Sequence, residues 1–171
     1  HNLKNFEFSQ SYFMFWDKLE KANYFLECII DSASEDWNSR IVMHLLSNPI
    51  EDGGQWDMWV SLIDKYGVIP QSEMSESFSS SQSATMNRMI ARKLRENAKD
   101  LRQNIGKGVS GDDLESIKTD MLEEIYKMLA MHIGSPPTSF NWQAHDKKKK
   151  FISFENLTPK SFFDNHVGLN L

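Results

Sequence analysis

At 171 residues the chain is long enough for one domain with its own core, or for parts of two. A hydrophobic share of 40% and five tryptophans exclude an intrinsically disordered chain, and the net charge of -5 argues against nucleic acid as the main partner. The single cysteine excludes an internal disulfide and favours a reducing compartment, and no apolar run is long enough to cross a bilayer, so no membrane partner is expected.

The first helical pattern runs from about Ser9 to Ile30. Ser9 suits the N-cap, and Tyr12, Phe15, Trp16, Leu19, Leu26 and Ile30 recur at three- and four-residue steps. The opening turns are aromatic nearly all round (Tyr12, Phe13, Phe15, Trp16), which predicts burial on several sides. Cys28 has no basic neighbour in sequence and no glycine loop before it, so it reads as a small buried hydrophobe, not an activated thiolate. Trp37 to Leu46 reads as a shorter helix, stopped by Asn48-Pro49.

The run Asp52-Gly53-Gly54-Gln55-Trp56 comes next. Two adjacent glycines leave the backbone bare, so another extended chain can approach and hydrogen-bond to it. A helix from about Gln55 to Tyr66 follows, with Trp56, Trp59, Val60, Leu62 and Ile63 on its apolar side and Gly67 as its stop. That helix would fix the bare backbone against a core and make it a shelf for a peptide. The other reading is a tight turn between two helices, with Trp56 simply in the core. Spacing alone favours the turn.

From Pro70 to Gln82 the chain is serine-rich with few aliphatics, the signature of an exposed connection. Two amphipathic helices follow. Met86, Met89, Ile90, Leu94, Leu101 and Ile105 form one stripe, and Leu114, Ile117, Met121, Ile125, Met128 and Leu129 form the other. Gly106-Lys107-Gly108 ends the first helix. Ser110 can cap the second, with Asp113 in its first turn and Val109 against Leu114 as a hydrophobic staple. Stripes joined by so short a loop should pack as an antiparallel pair, with the methionines in the core between them.

After Gly134-Ser135-Pro136-Pro137 the period changes. Phe140, Trp142 and Ala144 alternate with polar residues, and Phe151, Ile152 and Phe154 follow the charged break from Asp146 to Lys150, which predicts a hairpin. Lys147 to Lys150 reads as its solvated turn, since no aromatic or arginine interleaving supports nucleic-acid binding. Thr158-Pro159 supplies an N-cap and first residue for a short helix through His166. The histidines form no metal-binding pair; His44 and His132 read as core-edge residues, and no metal or cofactor is expected.

Taken together, the stretches from Phe6 to Lys18, Glu20 to Glu27, Asp52 to Met58 and Lys65 to Pro70 closely resemble the aminopeptidase C and bleomycin hydrolase family of papain-like cysteine peptidases. Phe8-Ser9-Gln10 is similar to the "LSEQ" stretch of such enzymes and Gly53-Gly54 to their "GCxGG" stretch. Asp146 to Phe151 and Leu157-Thr158-Pro159 through His166 also look like the family.

The resemblance implies a mainly α fold with a small β-hairpin. Residues 1–70 would be part of the helical lobe of a papain-like fold, 71–137 an inserted antiparallel helical pair, and 138–171 a hairpin that starts the return into the rest of the enzyme. It implies that substrate backbone pairs with Gly53 and Gly54, while Gln55 and Trp56 line an adjacent pocket. The family's "GRCW" nucleophile motif, expected before His1, does not occur here, nor do the catalytic His and "ENSWG" Asn expected beyond Leu171. No catalytic residue is therefore assigned, and the chain reads as the central segment of a cysteine aminopeptidase, inactive alone. The implied partners are a peptide substrate, the remainder of the peptidase chain and further copies in a hexamer; the implied compartment is cytoplasmic. The rival reading is a non-catalytic helical protein-interaction module.

Overall fold

The computed structural model describes residue 3 and residues 6–168, so residues 1, 2, 4, 5 and 169–171 lie outside the described residues. The fold is mostly helical with one two-stranded antiparallel sheet, as expected. It divides into two units, the first built from His1–Asp17, Gly54–Ser81 and Ile133–Leu171, the second from Lys18–Gly53 and Gln82–His132.

In the first unit, helix α1 (Gln10–Asp31) begins where Ser9 caps it. The Tyr12 amide donates to Ser9 Oγ at 3.1 Å, and that fully buried hydroxyl donates onward to the Met74 carbonyl at 2.5 Å. The Ser9 amide donates to the Ile69 carbonyl at 3.0 Å, beside a bridge from Phe8 to Pro70. Tyr12 and Phe15 are buried, Phe13 and Trp16 half-buried, so the aromatic start is packed on several sides. Burial pushes the Tyr12 hydroxyl up to about 12, and it stays a donor to the Tyr66 carbonyl at 2.7 Å.

Helix α3 (Trp56–Tyr66) buries Leu62 and Ile63 and leaves Trp59 and Val60 half-buried. Trp56, expected on the apolar side, is instead 64% exposed, because it is the first helical residue, nearly two turns before the buried pair. Gly67 stops α3 with φ +73, and the adjacent Val68 amide donates to the Pro159 carbonyl at 3.2 Å. The serine-rich connection, expected to be exposed, is only about half so: it holds one short helix, α4 (Phe78–Ser81), and buries Pro70 and Met74.

Strands β1 (Phe140–His145) and β2 (Phe151–Leu157) form the expected hairpin, with Trp142 opposite Phe154 and their rings stacked at 6.0 Å. Phe151 faces outward at 54% exposure, since alternation from half-buried Ile152 and Phe154 puts it elsewhere. At the turn, Asp146 Oδ1 accepts from the amides of Lys148 and Lys150 at 2.7 and 2.8 Å, and all four lysines are exposed. Thr158 then caps α7 (Pro159–Phe162) in a capping box with Ser161, and a π-helical turn continues to Val167.

In the second unit, α1 continues and buries Ala22, Phe25, Leu26 and Ile29. Ile29 takes the inward place expected of Ile30, since four residues from Phe25 keep it on the buried face. Cys28 is half-buried, not buried, beside exposed Tyr24, whose hydroxyl it raises through a hydrogen bond. Helix α2 (Arg40–Ser47) starts later than Trp37 because Ser39 Oγ accepts from the Val42 amide. Trp37, outside the helix, lies under the Arg102 guanidinium at 4.6 Å.

Helices α5 (Ala84–Gly106) and α6 (Asp112–Ile133) are joined by an ion pair from Lys93 to Glu124 at 2.7 Å. Positions 93 and 124 lie at similar distances from the turn at 107–111, which is the pairing of antiparallel helices. Met86, Ile90, Leu94 and Leu101 face the core from α5, and Met121, Ile125 and Leu129 from α6. Met89 does not join them: it is 47% exposed, at the edge of a face that Met86 and Ile90 already fill. Nor does Ser110 adjoin α6, which starts at Asp112 behind Gly111 and carries Asp112, Asp113 and Glu115 in its first turn.

Candidate functional site

Gly53, Gly54, Gln55 and Trp56 are contiguous and all exposed. A Cβ built on Gly53 or Gly54 meets nothing within 4 Å, and neither residue has a left-handed φ. Within the described residues, neither steric crowding nor backbone strain requires glycine at these two positions. Gly54 makes no hydrogen bond through its N–H or C=O among the described residues.

The boundary between the units falls between these two glycines. On the first unit's side, Gln55 is the N-cap position of α3, without a side-chain cap, and its carbonyl accepts from the Trp59 amide at 3.3 Å. Trp56 packs against Trp59 with ring centroids 5.0 Å apart, and Trp59 against Phe13 of α1 at 5.7 Å. The reading with Trp56 simply in the core is therefore overturned.

On the second unit's side, a polar cluster holds the run that leads to Gly53. Lys18 of α1 is 1% exposed, and its Nζ donates to Asp52 Oδ1 and, at 3.0 Å, to the Glu51 carbonyl. Three residues on, Lys21 Nζ donates to the Glu51 carbonyl at 3.2 Å and the Gly53 carbonyl at 2.6 Å. Asn87 Nδ2 of α5 lies 3.0 Å from both Asp52 carboxylate oxygens. The Lys18 hydrogen bond holds the Asp52 carboxyl below the usual carboxylate range, against the partial burial that would raise it.

Sequence reasoning missed Lys18, Lys21 and Asn87. A signal for Lys18 existed, because a lysine three residues after Phe15 and four before Ala22 sits on the buried stripe and needs a partner there. His44, expected at a core edge, is exposed, and His132 is half-buried. Among the described residues no group of His, Cys, Asp and Glu could hold a metal ion.

The sequence profile of the Peptidase C1-like family matches residues 1–171. This chain belongs to that family. It is 48% identical over 169 residues to aminopeptidase C of Listeria monocytogenes, covering 99% of this chain and 38% of the relative. It is 39% identical over 168 residues to human bleomycin hydrolase, covering 97% of this chain and 37% of the relative. The crystal structure of PepW from Lactobacillus rhamnosis superposes with a TM-score of 0.95 at 44% identity, over 99% of this chain and 38% of that one. The chain thus spans 38% of the length of the first of these relatives, and its fold is that of the matching part of a papain-like peptidase.

Proposed function

We propose that these residues are the substrate-backbone shelf and helical scaffold of a longer cysteine-type aminopeptidase, which removes N-terminal residues from peptides. A peptide would add itself as a short strand along Gly53 and Gly54, through main-chain bonds that ignore side-chain identity, with Gln55 and Trp56 lining the pocket beside them. The observation that carries this reading is the free Gly54 amide on exposed backbone, directly ahead of the helix that presents Trp56. The similarity to aminopeptidase C and bleomycin hydrolase supports the same reading.

The implied chemistry is thiolate attack on the peptide carbonyl, with nucleophile and histidine contributed from outside these residues. By the same resemblance, residues 71–137 form a helical insertion between part of the papain-like lobe (1–70) and the hairpin return (138–171). Assembly as a hexamer and a cytoplasmic location belong to this proposal too. No described helix is long and apolar enough to cross a membrane. The test is Gly54→Val in the longer enzyme: a side chain on the shelf should raise KM for peptides about tenfold or more with kcat little changed. Kinetics equal to the parent's would defeat the role assigned to Gly54.

A further inference from the structure

Two adjacent glycines are a poor shelf unless something outside them fixes their peptide planes, because glycine has more conformations to lose on binding than any other residue. The structure supplies such restraint on three successive residues. Glu51 is held by its carbonyl, which accepts from Lys18 and Lys21; Asp52 is held by its carboxylate, between Lys18 and Asn87; Gly53 is held by its carbonyl, on Lys21. The two lysines stand one turn apart on α1, and Asn87 comes from α5. Restraint ends where the free amide begins, at Gly54.

The Lys21 contact has a geometric consequence. The peptide bonds are trans, so the Gly53 carbonyl and the Gly54 N–H lie in one rigid plane and point in opposite directions. A donor on the Gly53 oxygen therefore also sets the direction of the Gly54 N–H, away from α1. We propose that Lys21, supported by the Lys18–Asp52–Asn87 cluster, is a positioning residue that aims the Gly54 N–H at the substrate main chain. This rests on the shelf reading above and adds to it the groups that preorganise the shelf. Lys18 locks the cluster from a buried position, whereas Lys21 reaches in from a part-exposed site and can be changed with less risk.

The test uses the full-length peptidase that contains these residues, assayed on short peptides, with Lys21→Met, Lys21→Arg and Gly54→Val beside the parent. Lys21→Met is expected to raise KM about tenfold with kcat within about twofold, and to leave the unfolding midpoint unchanged. Lys21→Arg keeps charge and donors and should hold KM within about threefold of the parent. A parental KM in Lys21→Met beside a raised KM in Gly54→Val would overturn the positioning role and leave the shelf standing. A parental KM in both would overturn both. A loss confined to kcat in Lys21→Met would also overturn the role, since the shelf acts in binding. Should Lys21→Met fail to fold, Asn87→Ala decides: it removes the amide donors to Asp52, together with one bond to Ser83 Oγ at the start of α5, and should raise KM about threefold, and a parental KM would refute the clamp.

Discussion

An alanine at Gly67 would place its Cβ 2.3 Å from the carbonyl carbon of Pro159, and 2.4 Å from both the oxygen of that carbonyl and the Lys160 amide nitrogen. All three are backbone atoms at the start of α7, so no flexible side chain can move aside. Gly67 also sits at φ +73 and ψ -159, where a side chain is strained by about 1–3 kcal/mol even with room around it. Relief of the clash would pull α7 from the end of α3 and break the bond from the Val68 amide to the Pro159 carbonyl, worth about 1 kcal/mol more. With the steric cost added, Gly67→Ala should destabilise the chain by about 3–5 kcal/mol. Urea unfolding followed by tryptophan fluorescence measures this directly. The control is internal: Gly53→Ala and Gly54→Ala meet nothing within 4 Å and should change stability by less than about 0.5 kcal/mol. A Gly67→Ala shift below about 1 kcal/mol would refute the close packing of Gly67 on the first turn of α7.

Two further outcomes are expected. Ser9→Ala removes both the cap on the Tyr12 amide and the donor to the Met74 carbonyl, and should lower the urea stability by about 1–3 kcal/mol. The Asp52 carboxyl titrates below its unfolded value of about 3.9, so its contribution is fully present above that pH and is lost as pH falls through the depressed folded value. Because its carboxylate is 61% exposed, the effect is screened to about 1 kcal/mol or less. The stability gap between the parent and Asp52→Asn should therefore be flat from neutral pH to about 5 and close below about 4; a gap that widens toward low pH would contradict the pairing with Lys18.

The elements with a sustained period were legible in the sequence. Helices α1, α3, α5 and α6 and the hairpin follow their apolar spacing, and the stops at Gly67 and the Thr158 cap act as their chemistry dictates. What escaped was decided by contacts distant in sequence or by one-residue choices of phase. Ile29 against Ile30, and Met89 against its neighbours, depend on where the helix face meets the core, and an apolar residue at a stripe's edge does not reveal that. Met74 is buried within a polar stretch because Ser9, 65 residues earlier, draws its carbonyl in. The glycine pair could be found from sequence, but not its support. Lys21 and Gly53 are 32 residues apart and Asn87 and Asp52 are 35 apart, separations at which no local pattern announces a partner.

The central claim is that the exposed main chain at Gly54 receives the backbone of a peptide. A crystal structure of the longer enzyme with a peptide-like inhibitor tests it most directly. The expected result is ligand main-chain atoms at about 2.7–3.2 Å from both the Gly54 nitrogen and its carbonyl oxygen. A ligand bound elsewhere, with the Gly54 amide facing water or turned onto the protein itself, would contradict it.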